Sequence, residues 1–216
     1  MRDFSDKCIV LKISDYRDDD KLAKVLTAEN GLVTVILRGV KKAKAKLKPF
    51  AQTFAVFDTR LVSGRGAFLT PVEPMMISDG FSLCADLTVF TAASVAAEAT
   101  VAALGSDDEA HPDVFVEFLK LIKALKFDGN PYYQASVYMC ELLKLSGFYR
   151  EYACAAASVP KTPVQMLGYA QKTGYGKTDT GEEFKDLSRR ALKYISSDFE
   201  RNFDIGLKSV DSIDLY

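Results

Sequence analysis

The chain has 216 residues, 48% of them hydrophobic, so it can bury a core in one large domain or two small ones. Its formal net charge of −1 excludes a protein that is a polycation along its whole length. Charge is concentrated instead: residues 38–65 hold eight Lys and Arg against one acidic residue, Asp58, which indicates a local anion-binding face.

The same composition argues against a metal centre and a membrane span. The four cysteines are far apart and form no CxxC pair, and there is a single histidine, so we expect no metal and no cofactor. The N-terminus has no signal-peptide core. The most apolar stretch, residues 87–104, contains Glu98 and predicts a buried helix. We therefore expect a cytoplasmic protein with reduced thiols.

The first eighty residues predict a β-barrel. Five runs rich in β-branched and aromatic residues predict strands at 8–14, 21–28, 32–39, 50–60 and 65–73. Turn-forming residues separate them, and the Glu-Asn-Gly sequence at 29–31 is short enough for a hairpin. Five short strands favour a closed OB-fold barrel, because closure removes exposed strand edges.

From about residue 78 the spacing of apolar residues becomes helical. Helices are predicted at 82–104, 114–127, 132–147 and 181–203. Residues 155–182 gather Pro, Thr, Gly and Lys without periodicity and predict an irregular insertion. The sequence thus predicts an α+β protein of two domains, a five-stranded OB-fold barrel at 1–78 and an all-helical domain at 79–216.

No set of residues typical of an enzyme is visible. The single histidine, His111, lies in a polar loop beside Pro112. Consecutive carboxylates at 18–20 point in different directions from a turn, so we expect a solvated loop, while a metal-dependent hydrolase stays open as an alternative. The Gly-Lys-Thr at 176–178 lacks the upstream glycine of a phosphate-binding loop, since Gln171 occupies that position. The chain is predicted not to be an enzyme.

The basic run "RGVKKAKAKLKPF" at 38–50 directly follows the third predicted strand. Lysines 42, 44, 46 and 48 alternate, so an extended segment would place them on one face. Arg60 and Arg65 flank another turn and could reach the same rim. The neighbouring Phe50, Phe54, Phe57 and Phe68 alternate in a way that favours core packing over base stacking. A solvated lysine loop and a polyanion contact both remain open on these residues alone.

The order of these features resembles the RecO family of bacterial recombination mediators. The matching N-terminal features are the Ile9–Leu11 strand, the "DDDK" turn, "LTAENG", "RGVKK" and the following Pro49-Phe50. Three later segments are also similar: "CADLTVFTAASVAAEAT", "YQASVYMCELLKLSGFYREYAC" and "RRALKYISSDFERNFDIGLKS". The resemblance implies an OB domain, a helical domain and, in many members, a zinc ribbon. Here "YACAAAS" leaves Cys154 alone where the first CxxC would stand, so no zinc is expected.

The resemblance also implies a function without a covalent step. It implies binding of single- and double-stranded DNA, annealing of complementary strands, and help in loading RecA onto DNA coated by single-strand binding protein, all in a nucleoid-associated, cytoplasmic protein. The implied partners are RecR and the acidic C-terminal tail of the single-strand binding protein. An OB-like barrel that binds only a partner subunit, without DNA, is the alternative.

Residue roles follow from the charge pattern and this resemblance together. The predicted phosphate contacts are Arg38, Lys41, Lys42, Lys44, Lys46, Lys48, Arg60, Arg65 and Arg2. The acidic tail needs an apolar groove beside a cation, and the predicted helix 114–127 could supply it. The predicted tail-binding residues are Phe115, Phe118, Lys120, Ile122 and Lys123.

Overall fold

The structure is a computed structural model that describes residues 3–64, 66, 68–105, 109–127, 129–153, 159–179 and 181–214. The chain divides into two compact units. The first comprises Met1–Cys84 and Leu104–Phe115, and the second comprises Ala85–Ala103 and Val116–Tyr216. The predicted domain division between residues 78 and 79 stays a prediction.

The first unit contains the predicted five-stranded barrel. Its strands are β1 (Asp3–Tyr16), β2 (Asp20–Thr27), β3 (Leu32–Leu37), β4 (Val56–Ser63) and β5 (Leu69–Ser78). They close in the order β1-β2-β3-β5-β4. All pairs are antiparallel except β3 with β5, where Val35 pairs with Leu69 in parallel. The prediction of an OB-fold barrel followed by helices is therefore confirmed.

Alternating apolar residues fill the barrel. Val10, Val25, Val35, Phe57 and other inward-facing side chains form one buried cluster, as the period of two along a strand requires. The turn between β2 and β3 is held from β1, because the buried Asp6 carboxylate accepts hydrogen bonds from the N–H groups of Ala28 and Glu29 and from Asn30 Nδ2. The expected hairpin at 29–31 is thus stabilised by a side chain of β1, the strand that pairs with β2.

The fourth strand begins later than the sequence suggested. Lys48–Phe50 forms a 3₁₀ helix, and Phe54 adopts the left-handed region with φ of 67°. Phe54 is fully buried, and its N–H donates to the Val10 carbonyl at 2.7 Å. Regular pairing can therefore start only at Val56, and the prediction of a strand from residue 50 was wrong for its first six residues.

The helices predicted at 114–127, 132–147 and 181–203 are present, with bounds shifted by a few residues. The single helix predicted at 82–104 was wrong at Ala85 and Asp86, where it is interrupted. The described residues contain six α-helices. They are α1 (Phe81–Cys84), α2 (Leu87–Leu104), α3 (Pro112–Phe127), α4 (Pro131–Leu145), α5 (Pro163–Thr173) and α6 (Glu182–Phe203). In the second unit α4, α5 and α6 pack on one another around fully buried aromatic rings that include Tyr133, Tyr138 and Phe199. Asn130 caps α4 by accepting a hydrogen bond from the Tyr133 N–H at 3.1 Å.

Helix α2 is the one helix among the described residues with the length and apolar composition of a membrane span, and half of it is buried inside the protein. Its polar groups are also satisfied within the second unit. The Glu98 carboxylate accepts a hydrogen bond from the Ser209 N–H at 2.8 Å, and Thr100 Oγ1 is hydrogen-bonded to the Tyr138 hydroxyl at 2.6 Å. These contacts match the predicted buried helix.

Helix α5 lies inside the segment 155–182 that the sequence predicts to be irregular. Thr162 caps the helix by accepting from the Gln165 N–H, Pro163 occupies the first turn, and Gly174 ends it with φ of 69°. The helix packs closely on the preceding chain: a Cβ at Gly168 would lie 2.7 Å from the carbonyl group of Ala153. The prediction was wrong over 163–173. Residues 154–158 and 180 lie outside the described part.

Candidate nucleic-acid interface

The basic loop, residues 38–50, covers one end of the barrel. Val40 and Phe50 are buried in the barrel core and Leu47 packs against it, so the loop is anchored at both ends. Between these anchors the chain forms successive turns. The loop is therefore not extended, and the condition under which the alternating lysines would share one face is not met. Six cations of the loop are nevertheless at least partly exposed: Arg38, Lys41, Lys42, Lys44, Lys46 and Lys48.

The start of the basic loop is held by the acidic turn, residues 15–20, between β1 and β2. Lys41 Nζ lies 3.3 Å from Asp15 Oδ1, and Lys42 Nζ lies 3.4 Å from Asp19 Oδ2. The Gly39 N–H donates to Asp20 Oδ1 at 2.8 Å. These carboxylates therefore balance part of the loop's charge. Among the described residues no group of acidic, histidine or cysteine side chains could hold a metal ion.

The remaining cations of the loop have no such neighbours. In the described part of the chain, no ion pair involves Arg38, Lys44, Lys46 or Lys48. All four side chains reach the surface, so their charges face solvent at one end of the barrel. Uncompensated cations that are close together raise the local positive potential and attract polyanions. This part of the predicted site is the part best placed to contact phosphates.

Arg60 is differently placed. It lies on β4, and its Nε donates to Asp3 Oδ1 at 2.7 Å while a terminal nitrogen contacts the other carboxylate oxygen. This two-pronged contact lowers the pKa of the Asp3 carboxyl, chiefly through the hydrogen bond from Arg60. Arg60 is therefore already engaged by an acid. Arg2 and Arg65, the other two predicted contacts, lie outside the described residues.

Two surface depressions adjoin the basic loop. The lysine depression, of about 400 Å³, is lined by Lys21, Val40, Lys41, Lys48, Ala51 and Gln52. The aromatic depression, of about 500 Å³, is lined chiefly by Tyr16, Arg17, Asp20, Ile36, Arg38 and Phe68. Tyr16, Arg17 and Lys21 were not predicted from the sequence. Their position in the sequence could have indicated them, since Tyr16 and Arg17 lie within the acidic turn and Lys21 directly follows it.

Most of the aromatic residues near the loop belong to the core. Phe50, Phe54 and Phe57 are buried, and Phe50 meets Phe57 edge to face with ring centroids 5.4 Å apart. Phe68 is half-exposed and lines the aromatic depression. The prediction of core packing is confirmed for the first three rings and was wrong for Phe68.

The predicted tail-binding groove on α3 does not have an apolar surface at the expected positions. Phe115, Phe118 and Ile122 are 4%, 0% and 6% exposed, so these side chains belong to the interior. Lys120 is exposed and bonds to Glu117, and Lys123 is also exposed. Phe115, Phe118 and Ile122 do lie on one helix, but their side chains pack inward. Their assignment to an exposed groove was wrong, and a role for Lys120 and Lys123 stays a prediction.

Comparisons with known sequences point to one family. The family model "Recombination protein O N terminal" matches residues 1–74, and "Recombination protein O C terminal" matches residues 84–211. A protein of Clostridium novyi named DNA repair protein RecO is 31% identical over 147 residues, which cover 67% of this chain and 56% of that protein. The protein of the same name in Staphylococcus aureus strain MRSA252 is 27% identical over 183 residues, or 84% of this chain and 71% of its own length.

A third relative gives the same picture. The DNA repair protein RecO of Clostridium perfringens is 28% identical over 141 residues, which cover 65% of this chain and 56% of that protein. The matched region thus spans little more than half the length of the two clostridial relatives. The two family models together cover both the barrel and the helical region of the present chain.

Proposed function

The chain belongs to the recombination protein O (RecO) family, and we propose that it is a DNA-repair mediator that binds DNA through the basic loop of its barrel. The observation that carries this proposal is a set of surface cations at one end of an OB-fold barrel, Arg38, Lys44, Lys46 and Lys48, which form no ion pair with any described residue. OB-fold barrels commonly bind oligonucleotides on the face of their second and third strands, and the basic loop directly follows the third strand.

The proposed mechanism is electrostatic. Each lysine or arginine that contacts a phosphate releases condensed counterions, which provides affinity without sequence readout. Exposed amines on a turn-rich loop can face phosphates of a single strand or a duplex. Cations that neutralise two single strands at once also lower the repulsion that opposes their pairing. We therefore propose binding of single- and double-stranded DNA and annealing of complementary strands.

Binding energy, and no covalent step, performs this work in the proposal. Two of the three carboxylates at 18–20 are engaged elsewhere, since Asp19 pairs with Lys42 and Asp20 accepts the Gly39 N–H. Both contacts hold the acidic turn against the basic loop. The metal-dependent hydrolase considered from the sequence has no supporting observation in the described residues.

The proposed partners follow from family membership. We propose that the chain contacts RecR and the acidic C-terminal tail of single-strand binding protein, and so assists RecA loading onto coated single strands. In this proposal the tail does not contact Phe115, Phe118 and Ile122, because these side chains are buried. These partners support a nucleoid-associated, cytoplasmic role in recombination repair.

An annealing assay tests the proposal. Complementary oligonucleotides are mixed with the protein, with and without single-strand binding protein, across a series of salt concentrations. We expect accelerated annealing that weakens steeply as salt rises, because counterion release drives the contact. A protein that shifts no labelled oligonucleotide even at low ionic strength would overturn the proposal. That result would favour the alternative of a barrel that binds only a partner subunit.

A further inference from the structure

We propose that the aromatic depression holds one unstacked nucleobase of single-stranded DNA, which makes this face of the barrel selective for single strands. The inference rests on the proposed function and extends it, because it separates base contact from phosphate contact. The residues that carry it are Tyr16 and Phe68, with Arg17 and Arg38 beside them.

The depression has the shape and the chemistry of a stacking site. The rings of Tyr16 and Phe68 meet edge to face, with centroids 5.6 Å apart and planes at 82°. In this arrangement a ring directs its edge at its neighbour and keeps a face available for another contact. Both rings are half-exposed, and they line an open space of about 500 Å³. Aromatic rings left partly exposed in a concave site accept flat ligands, and a nucleobase is one.

Two arginines supply the rest of the site. The guanidinium group of Arg17 lies over the Tyr16 ring, 5.1 Å from its centroid. Guanidinium planes stack on aromatic rings and on bases, so Arg17 covers one face of Tyr16 and can offer its own outer plane to a base. Arg38 is exposed and lines the same space. The nearby Asp20 carboxylate accepts the Gly39 N–H at 2.8 Å, which holds this acid against the start of the basic loop.

Strand geometry separates this depression from the lysine depression. Side chains alternate along β2, and Ala23 and Val25 face the barrel core. Lys21 shares their parity and lines the lysine depression at the barrel end, whereas Asp20 has the opposite parity and lines the aromatic depression. The start of β2 thus lies between the lysine depression on one side and the aromatic depression on the other. Single-stranded DNA that crosses this edge of the barrel can place its phosphates beside the lysines and one base on the aromatic rings.

The two kinds of contact predict different ligand preferences. A duplex keeps its bases stacked and paired, so it can use the lysines but not the rings. A single strand uses both. Stacking of one base on an aromatic side chain strengthens binding by about five-fold or more. The aromatic depression should therefore add affinity for single strands and leave duplex affinity unchanged.

An oligonucleotide without bases provides the test. Binding of oligo-dT and of an equally long, fully abasic oligonucleotide is measured by fluorescence anisotropy with wild-type protein and with Tyr16→Ala, Phe68→Ala and Phe81→Ala. We expect wild type to bind oligo-dT at least about five-fold more tightly than the abasic strand. Tyr16→Ala and Phe68→Ala should reduce that ratio towards one without changing duplex affinity. Tyr16→Phe, which keeps the ring, should preserve the ratio.

Phe81→Ala is the matched control, because this phenyl ring is 71% exposed and lines neither depression. It should leave the ratio unchanged. A second readout needs no variant: a strand carrying 2-aminopurine should lose fluorescence on binding wild type, because stacking on a ring quenches it. Equal affinity for oligo-dT and the abasic strand, or an unquenched 2-aminopurine, would overturn the inference and leave DNA binding intact. Failure to bind either strand at low salt would instead overturn the proposed function.

Discussion

Lys42 Nζ lies 3.4 Å from Asp19 Oδ2, and this contact joins the basic loop to the acidic turn. The adjacent Lys41 repeats the arrangement with Asp15 at 3.3 Å. Two runs of opposite charge that lie about twenty residues apart in the sequence therefore meet at one edge of the barrel. The acidic turn pairs with the first two lysines of the loop, whereas Arg38, Lys44, Lys46 and Lys48 form no ion pair among the described residues.

Removing the Asp19 charge should strengthen DNA binding. In Asp19→Asn, Lys42 loses its partner and becomes available to a phosphate, so we expect single-strand affinity to rise by about two-fold to five-fold at low salt. Stability should change by less than about 1 kcal/mol, because both side chains are well exposed. Fluorescence anisotropy and urea denaturation measure the two effects.

Glu151→Gln is the control for the Asp19 variant, since it removes one exposed carboxylate from the second unit. It should change single-strand affinity much less. A metal-dependent nuclease would behave in the opposite way, with degradation that Asp19→Asn abolishes. Weaker binding by Asp19→Asn would contradict the interpretation that the acidic turn balances the loop.

Reversing two cations that have no ion pair should weaken DNA binding strongly. Lys44→Glu with Lys46→Glu removes two positive charges from the exposed part of the loop and adds two negative ones. We expect single-strand affinity to fall at least about ten-fold at low salt. The slope of log affinity against log salt should become shallower by about 0.7 for each phosphate that the variant no longer neutralises. Titration of a labelled oligonucleotide at several salt concentrations measures both.

The matched control for the loop variant is Lys161→Glu with Lys172→Glu. These lysines are exposed and lie just before α5 and in its last turn, in the second unit, so the net charge changes equally. If both double variants lose affinity to the same extent, net charge and not the basic loop governs binding.

The barrel and four of the long helices could be predicted from the sequence because their apolar residues recur with the period of a strand or a helix. Each strand of the barrel has one face in the core, so alternation was visible in the residues themselves. The basic loop lacks that constraint. Its path depends on where Val40 and Phe50 find space in the core and on the acidic turn, and both are tertiary contacts. The alternation of the lysines therefore could not show whether the segment is extended, and turns are found there.

Helix α5 and the aromatic depression were missed for different reasons. Helix α5 was missed because Gly168 and neighbouring polar residues interrupt its apolar stripe, although Thr162-Pro163 at the start and Gly174 at the end are typical helix boundaries. The aromatic depression brings Tyr16 and Phe68 together from distant parts of the chain that meet only in the closed barrel. No short sequence window contains both rings, so only the tertiary structure reveals the site.

The ion pair between Asp3 and Arg60 predicts that the stability of the folded barrel depends on pH. Arg60 lowers the pKa of the Asp3 carboxyl below its ordinary value of 3.8. The carboxyl therefore releases its proton more readily in the folded state, and the pair's contribution to stability is present above the unfolded-state pKa. That contribution is lost as pH falls through the lowered folded-state pKa. We expect wild type to exceed Arg60→Gln slightly in stability at pH 7, and this difference to shrink progressively as the solution is acidified below the ordinary aspartate pKa.

Carboxyl-carbon NMR titration checks the same prediction directly. In Arg60→Gln the Asp3 pKa should return towards its ordinary value. The pKa of Asp186, which Arg189 lowers in the second unit, is the internal control and should not move. An unchanged Asp3 titration in the variant would show that Arg60 does not hold this carboxylate, and would leave Arg60 available for phosphate as first predicted.

A methyl group added at Gly168 should destabilise the protein, because backbone atoms lie close to where it would stand. In an ordinary helix interior, alanine in place of glycine stabilises by roughly 0.5–1 kcal/mol. Here the added Cβ would lie 2.7 Å from the Tyr152 carbonyl oxygen and from the Ala153 carbonyl group. These are backbone atoms of the segment that Gln171 also holds, through the Tyr152 N–H and the Arg150 carbonyl. The segment cannot move without breaking those hydrogen bonds, so Gly168→Ala should destabilise by about 1–3 kcal/mol.

Urea denaturation followed by circular dichroism measures the Gly168 effect. Gly206→Ala is the control, because a Cβ there meets no atom within 4 Å and its change in stability should be small. DNA binding provides the second readout: the basic loop lies in the first unit, so Gly168→Ala should leave single-strand affinity unchanged under conditions where the protein stays folded. A stabilised Gly168→Ala would contradict the close packing of α5 on residues 152–153.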